Sequence, residues 1–122
     1  YSRTALQNVT IGELDEYFVA DGEKYGVSPV IRDVVHFSYH DLTLQTAGAP
    51  SESVFGGFDL LLCRNVLIYF TKETQDATVE RLCQSLDRGA YLVMGEAEAL
   101  SSDFSRDLVA IDARNRIFRR HS

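Results

Sequence analysis

The sequence predicts an α/β domain in which a helix connects two strands of a parallel sheet. Phe58–Cys63 and Ala90–Met94 are apolar runs too short for helices in this setting, so both are expected to be buried strands. Between them, apolar residues recur at helical spacing and form one stripe, Val79, Leu82, Cys83 and Leu86. A strand, a helix and a second apolar strand in this order favour a sheet covered by helices.

The first third of the chain predicts several short elements. Thr10, followed three residues later by Glu13, has the pattern of a capping box, so an amphipathic helix is expected to begin there. A short strand is predicted at Lys24–Val27, and Pro29 suits the first turn of a short helix. The β-branched and aromatic residues of Val34–Tyr39 predict a further strand.

Turn residues and caps delimit the rest of the chain. Thr43–Gly57 is rich in small residues and is expected to be a surface connection with at most one weak helical turn. Thr71 can cap the long helix, and Gly89 can supply the left-handed residue just past its end. Residues 107–120 predict two strands around the turn at 112–115, which gives a C-terminal antiparallel hairpin.

Composition limits the classes of protein that this sequence can represent. With 122 residues, 45% hydrophobic and 25% charged, it has the make-up of one soluble globular domain. The net charge of −6, without a basic stripe, makes nucleic acid a poor partner. No apolar run approaches the roughly 18 residues of a spanning helix, so we expect no membrane insertion and a cytoplasmic location. Cys63 and Cys83 lie in apolar segments and are expected to be reduced core residues.

Arg64 and Asn65 interrupt an apolar run that resumes at once with Val66. Ligands of open α/β sheets bind beyond the carboxyl ends of the strands, which is where this polar pair is expected to lie. Its hydrogen-bonding groups could therefore contact a ligand. Alternatively, Arg64 pairs with a surface carboxylate and Asn65 caps a turn. Position in the sheet leaves both interpretations open.

Other chemically capable residues have simpler explanations. His36 and His40 lack a third well-placed ligand, so we expect no metal site. Cys63 has no paired histidine to activate it as a nucleophile, and core packing explains it better. Glu96 and Glu98 follow the strand that ends at Met94 and are interpreted as solvated loop carboxylates.

The stretch FDLLLCRNVLIYFTKETQDATVERLCQSLDRGAYLVMGEAEAL, residues 58–100, resembles the catalytic domain of the CheR family. These proteins are S-adenosylmethionine-dependent methyltransferases that esterify glutamates on chemotaxis receptors. CRNVLIYF, residues 63–70, is the most specific part of the resemblance. Upstream, the spacing of ELDEYF, YGV and VHFSYHDL agrees with the family as well. The resemblance therefore covers essentially the whole chain.

The sequence departs from the family pattern in three places. Glu96 stands where the family has a histidine after glycine, and Asp41 replaces the asparagine that precedes leucine. Asp41 keeps an acceptor but lacks the amide donor. The family's glycine-containing first motif and its acidic ribose-binding residue are not found. The sequence thus resembles the C-terminal part of the catalytic domain.

The resemblance implies a partial class I, Rossmann-like methyltransferase sheet. Residues 1–33 would form a small N-terminal β-subdomain-like segment, and residues 34–122 the C-terminal half of the methyltransferase domain. Val34–Tyr39, Phe58–Cys63 and Ala90–Met94 would be the family's third, fourth and fifth strands. Because its first two strands are not found, either a missing N-terminal half or a second chain is expected to complete the sheet, or this part of the domain packs differently. By itself, the chain is expected to bind the cofactor weakly or not at all.

Site roles also follow from the resemblance. Asp41 and Leu42 would border the adenine of S-adenosylmethionine, with Leu42 packing on the ring. Arg64 and Asn65 would line the cofactor on the other side, largely through backbone atoms. Tyr69 would lie near the transferred methyl and the substrate carboxylate, although an aromatic residue here could simply belong to the core.

The implied function is S-adenosylmethionine-dependent protein-glutamate O-methylation of chemoreceptors or of another glutamate-bearing protein substrate. The alternative is a non-catalytic protein-interaction module derived from a methyltransferase fold. In some family members, the N-terminal subdomain takes up a receptor pentapeptide as an added strand. The corresponding link here, VADGEK at residues 19–24, is short, so no such docking is expected.

Overall fold

The computed structural model describes residues 1–43, 57–101, 104 and 106–122. They form two compact units, Tyr1–Phe37 and Ser38–Ser122. Nearly all of the connection expected at Thr43–Gly57 lies outside the described residues. No described helix combines the length and the apolar character that a membrane span requires.

The first unit is built from short elements around one hairpin. They are helix α1 (Ile11–Tyr17), strands β1 (Phe18–Asp21) and β2 (Lys24–Val27), and helix α2 (Pro29–Arg32). β1 and β2 pair in antiparallel orientation. The predictions of α1, β2 and α2 are confirmed. β1 was not predicted, although Asp21-Gly22 is a dipeptide typical of hairpins and Gly22 has a φ of 58°.

α1 begins with the predicted capping box. The Thr10 hydroxyl accepts the Glu13 backbone N–H at 3.2 Å, and the Glu13 carboxylate accepts the Thr10 backbone N–H at 2.9 Å. The Thr10 hydroxyl also donates to the Glu13 carboxylate at 2.8 Å, and the two hydrogen bonds that this carboxylate accepts from Thr10 lower the pKa of Glu13. Two donors at the helix start are thereby satisfied reciprocally, which explains why the helix begins at this point.

The strand predicted at Val34–Tyr39 is wrong. This segment is irregular, and Phe37 and Tyr39 are 95% and 91% exposed. Its residue types suit a strand, but a strand also needs a neighbour that receives its backbone hydrogen bonds. No described strand pairs with this segment.

The second unit contains a four-stranded mixed sheet. Its strands are β3 (Phe58–Cys63), β4 (Leu86–Met94), β5 (Leu108–Asp112) and β6 (Ile117–Arg120). Their order in the sheet is β3-β4-β6-β5. β3 and β4 are parallel, and the other two pairings are antiparallel. The α/β class, the two apolar strands and the C-terminal hairpin are therefore confirmed.

Helix α3 (Lys72–Ser85) connects β3 to β4. The Thr71 hydroxyl accepts the Thr74 backbone N–H at 3.4 Å, so the predicted cap is confirmed. The prediction that Gly89 ends the helix is wrong. The backbone becomes extended at Leu86, and Gly89, with a φ of 79°, lies within β4 where the pairing with β3 shifts register. Burial of Leu86 against the core explains why β4 starts this early.

The core lies between α3 and the sheet. Among the described residues, its buried apolar members are Cys63, Leu67, Val79, Leu82, Cys83, Leu86, Ala90, Leu92, Met94 and Leu108. Both cysteines are free, as expected. Burial raises the pKa of each thiol to about 11, and nearby carboxylates add to the increase, that of Glu98 at Cys63 and that of Asp107 at Cys83.

Candidate functional site

The carboxyl ends of β3 and β4 meet at one edge of the sheet. Cys63 and Met94 are partners in the parallel register and are the last residues of the two strands. Two segments therefore leave the sheet side by side. We call Arg64–Phe70 the β3 turn and Gly95–Glu98 the β4 loop. Loops at this edge are where open α/β sheets bind ligands.

The β3 turn has an unusual backbone. Asn65 has a φ of 60°, in the left-handed region that few residues other than glycine adopt. Asparagine is among the side chains that tolerate it best. A short 3₁₀ helix, Leu67–Tyr69, follows, in which the Tyr69 N–H bonds to the Val66 carbonyl at 3.2 Å. The chain therefore reverses sharply before α3 begins.

Glu98 of the β4 loop holds the β3 turn. Its Oε1 accepts the backbone N–H groups of Val66 and Leu67 at 2.8 and 2.7 Å. Its Oε2 accepts those of Asn65 and Gly95 at 3.1 and 2.7 Å. One carboxylate thus joins three successive amides of the turn to the end of β4.

The interpretation of Glu98 as a solvated carboxylate is wrong, since the residue is only 3% exposed. Burial by itself raises the pKa of its carboxyl group, but the four backbone donors outweigh burial and hold the pKa below its usual value. Glu98 is therefore ionised at neutral pH. Glu96, in contrast, is exposed, as expected. The sequence signal that could have identified Glu98 is its spacing of three from Gly95, as in a capping box.

Gly95 allows the two segments to approach each other closely. A Cβ atom at this position would lie 2.5 Å from Asn65 Oδ1, 2.8 Å from Asn65 N and 2.8 Å from Glu98 Oε2. These distances are shorter than van der Waals contact allows. A side chain at position 95 would therefore displace the turn or the carboxylate.

An open, mostly apolar recess of about 400 Å³ lies next to the β3 turn. It is lined by Phe58 and by residues 60–63 of β3, together with Ser38, His40, Leu42, Val66 and Leu82. Its volume lies within the range of about 300 to 1,000 Å³ that is common for small-molecule sites. We call it the β3 recess.

Leu42 and Asp41 lie on the segment that borders the β3 recess. The Leu42 carbonyl accepts the Thr78 hydroxyl at 3.2 Å and the guanidinium of Arg81, so α3 fixes this part of the chain. Asp41 Oδ1 accepts the Thr43 backbone N–H at 2.8 Å and forms a tight turn. Leu42 lines the recess directly, whereas Asp41 is not among the lining residues.

Arg64, Asn65 and Tyr69 all belong to the β3 turn, and all three side chains are exposed. The backbone N–H of Asn65 is donated to Glu98, so any ligand contact by this residue would use its side chain or its carbonyl. Tyr69 is 81% exposed, so the described residues of this chain do not bury it in a core. Of the predicted site residues, Leu42 lines the recess, and Arg64 and Asn65 lie in the chain between two other lining residues, Cys63 and Val66.

The geometry also bears on two other chemistries considered from the sequence. In the described part of the chain, no three His, Cys, Asp or Glu side chains come together as metal ligands would. Cys63 lines the recess, but its raised pKa keeps the thiol protonated at neutral pH. A protonated thiol is a poor nucleophile.

Comparison with known proteins identifies the family. Residues 1–116 match the CheR methyltransferase, SAM binding domain. The chain belongs to this family. The match extends from the N-terminal unit to the turn of the C-terminal hairpin, so it includes the β3 turn, Glu98 and the β3 recess.

Relatives in several bacteria agree with this assignment. The chain is 33% identical over 100 residues to a chemotaxis protein methyltransferase of Listeria monocytogenes, covering 82% of this chain and 36% of that protein. It is 38% identical over 90 residues to chemotaxis protein methyltransferase 1 of Pseudomonas aeruginosa, covering 73% and 31%. It is also 32% identical over 121 residues to an uncharacterized 104.1 kDa protein of Rhodobacter capsulatus, covering 97% and 12%. The chain spans about a third or less of the length of these relatives.

The cofactor of the CheR family is S-adenosylmethionine. The described residues fit this molecule in two respects. The β3 recess has the size and the apolar walls that a nucleoside ring requires. The exposed side chains of Arg64 and Asn65, next to Val66 in the wall of the recess, can supply polar contacts to the rest of the molecule.

Proposed function

We propose that this chain is part of an S-adenosylmethionine-dependent protein-glutamate O-methyltransferase that acts on chemoreceptors in the cytoplasm. The observation that supports this most is the β3 recess beside the pinned β3 turn, in a chain of the CheR family. The named relatives that are chemotaxis methyltransferases support a chemoreceptor substrate.

In this proposal, β3, α3 and β4 are the fourth strand, the crossover helix and the fifth strand of a Rossmann-like sheet. β3 is an edge strand among the described residues, and Leu60 and Leu62 on it are exposed. Further strands alongside β3 would bury these side chains and pair its open backbone groups. Residues outside this sequence, or a second chain, would supply those strands.

Each predicted site residue has a role that its position allows. Leu42 offers an apolar surface for the adenine, and Asp41 lies next to it at the rim of the recess. Arg64 and Asn65 contact the cofactor from the β3 turn through side chains and carbonyl oxygens, since the Asn65 N–H is already bonded. Tyr69 lies further along the turn, where its exposed hydroxyl can orient the substrate carboxylate.

The reaction places few acid–base demands on the protein. When bound, the cofactor supplies an electrophilic methyl group. A solvated glutamate, with a pKa of about 4.3, is already the ionised nucleophile at neutral pH. The residues of this chain therefore contribute by orienting the two reactants and by excluding water from the apolar recess.

Replacement of Tyr69 by phenylalanine tests the proposed catalytic site. In the natural gene product that contains this sequence, we expect kcat/KM for receptor methylation to fall about 10-fold or more, which corresponds to about 1.4 kcal/mol. Stability should change by no more than about 1 kcal/mol because the hydroxyl is exposed. Affinity for the cofactor should remain the same.

A matched control is Tyr91→Phe on β4. This variant also loses one hydroxyl but keeps the ring beneath the guanidinium of Arg119, 5.7 Å from its centroid. We expect its kcat/KM to equal that of the wild type. If Tyr69→Phe methylated receptors normally and melted several degrees earlier, Tyr69 would have no catalytic role.

Calorimetric titration of the natural gene product with S-adenosylmethionine tests the proposed activity as a whole. Saturable binding together with methyl incorporation into receptor glutamates is the expected result. If neither is observed, the non-catalytic interaction module becomes the better interpretation.

A further inference from the structure

We propose that Glu98 is a positioning residue of this site: its buried carboxylate fixes the backbone of Asn65–Leu67 and thereby sets the wall of the β3 recess and the direction of the Arg64 and Asn65 side chains. The inference deepens the proposed function and rests on it, because the site that Glu98 positions is the proposed cofactor site.

Backbone N–H donors surround the carboxylate of Glu98. Three successive backbone N–H groups converge on its carboxylate, an arrangement that in other proteins binds external anions. Here a side chain of the protein occupies this position. The β3 turn is therefore closed to a phosphate or a carboxylate of a ligand, and only its side chains and carbonyl groups remain for recognition.

A carboxylate matches the hydrogen-bonding groups around Glu98. All four hydrogen-bond partners of Glu98 are N–H donors, two for each oxygen. A carboxylate satisfies this arrangement completely. A glutamine of nearly the same shape would direct its NH₂ group at two of these donors, so the negative charge and both oxygens are required.

The Glu98 carboxylate is connected to the β3 recess through the β3 turn. Val66 donates its N–H to Glu98 and also lines the β3 recess, so a shift of this residue moves the wall of the recess. Asn65 has a left-handed backbone conformation, and its N and Oδ1 atoms lie so close to Gly95 that a side chain at position 95 would displace them. Glu98 itself does not line the recess, and it therefore acts through the turn and not on the ligand.

The variant Glu98→Gln in the natural gene product tests this role. Affinity for S-adenosylmethionine is measured by calorimetry at a temperature at which every variant is fully folded. We expect the affinity to fall by at least about 10-fold, because small displacements of positioning groups have effects of this size. The kcat for receptor methylation should fall as well.

Two controls separate positioning from stability and from charge. Glu96→Gln makes the same chemical change at an exposed position two residues away, and we expect its affinity to stay within about twofold of the wild type. Leu108→Ala removes a buried side chain on β5, at the opposite edge of the sheet. It should lower the melting temperature as Glu98→Gln does, yet leave the affinity unchanged.

Two outcomes distinguish this inference from the proposed function. If the wild type binds the cofactor and Glu98→Gln binds it equally well, the positioning role is overturned while the function stands. If the wild type neither binds the cofactor nor methylates, the proposed function fails, and the positioning role fails with it.

Amide hydrogen exchange of the wild type provides a test that does not require the variant to fold. The amides of Asn65, Val66 and Leu67 should be protected in the absence of cofactor to the same degree as those within β4. Exchange of these three amides as fast as that of unstructured backbone would overturn the inference.

Discussion

Two turns of this chain use a carboxylate to hold the backbone, and they differ mainly in burial. In the β3 turn, Glu98 accepts backbone N–H groups, and Asn65 has a φ of 60°. In the C-terminal hairpin, Asp112 accepts the backbone N–H and the side-chain amide of Asn115 at 3.0 and 2.7 Å, and Arg116 has a φ of 55°.

The two turns differ in whether water can solvate the hydrogen-bonding groups when the bond to the carboxylate is lost. Asp112 is partly exposed and makes its bonds within the hairpin turn, so water can solvate both partners when those bonds break. Glu98 is buried, and its hydrogen bonds from Leu67 and Gly95 are buried as well, so water cannot readily replace the carboxylate there. An unsatisfied buried donor costs far more than an intact exposed bond contributes. The carboxylate is therefore expected to be essential for stability in the β3 turn and dispensable in the C-terminal hairpin.

The largest effect is expected for Glu98→Gln. Two buried N–H groups would face an amide NH₂ group, so the free energy of unfolding should fall by about 2 to 4 kcal/mol. Chemical denaturation, with Glu96→Gln as the control, measures this loss. A loss as small as that of an exposed substitution would show that burial does not separate the two turns.

The stability difference between the wild type and Glu98→Gln should depend on pH. The pKa of Glu98 is lower in the folded state than in the unfolded state, where it is about 4.3. The stability that the carboxylate contributes is therefore fully present above that value and is lost as the pH falls through the lower, folded-state pKa. Because glutamine does not titrate, the stability difference between wild type and Glu98→Gln should be constant near pH 7 and should narrow in acid.

The next largest effect is expected for Gly95→Ala. The added methyl group would lie 2.5 to 2.8 Å from atoms of Asn65 and Glu98, and the turn must shift to accommodate it. We expect a loss of about 1 to 3 kcal/mol in the free energy of unfolding. Gly12→Ala is a suitable control, because a Cβ there meets no atom within 4 Å. Equal stability of the two variants would contradict the close packing described above.

A smaller effect is expected where glycine relieves a left-handed residue. Arg116 bears the full cost of its positive φ, so Arg116→Gly should stabilise the protein by about 0.5 kcal/mol after the entropic cost of glycine is included. Asn65→Gly should give no gain, because asparagine tolerates this conformation and glycine loosens the unfolded chain. Thermal melting of both variants tests these expectations. A higher melting temperature for Asn65→Gly but not for Arg116→Gly would contradict them.

The smallest effect is expected for Asp112→Asn. The substitution keeps one oxygen that can accept the Asn115 backbone N–H, and water can satisfy the groups that lose a partner. We expect the melting temperature to change by less than about 4 °C. If Asp112→Asn destabilised the protein as much as Glu98→Gln, hydrogen bonding and not burial would be the decisive quantity.

Local sequence patterns predicted most of the second unit. β3 and the core part of β4 are short apolar runs, Thr71 caps α3, and turn residues separate β5 from β6. Each of these signals acts within a few residues of the element that it specifies. Val34–Tyr39 has equally good strand residues, and it is irregular because pairing depends on a neighbour that local composition does not specify.

The candidate site was predicted only in part, because local sequence patterns do not specify contacts between distant residues. Arg64 and Asn65 could be placed at the carboxyl edge of the sheet, since they follow an apolar strand directly. Leu42 was assigned through the family resemblance, and the structure places it in the wall of the β3 recess. Glu98 was missed because three of its four donors lie 31 to 33 residues earlier in the chain.

That sequence separation has a consequence for the order of folding. The three amides of the β3 turn precede Glu98 by 31 to 33 residues, so they cannot bond to its carboxylate until β4 has paired with β3. The turn is therefore expected to become rigid late, after the transition state, so that loss of the carboxylate accelerates unfolding far more than it slows folding. Completion of the proposed cofactor site would then coincide with the last step of folding, and a partly folded chain would lack the finished wall of the β3 recess.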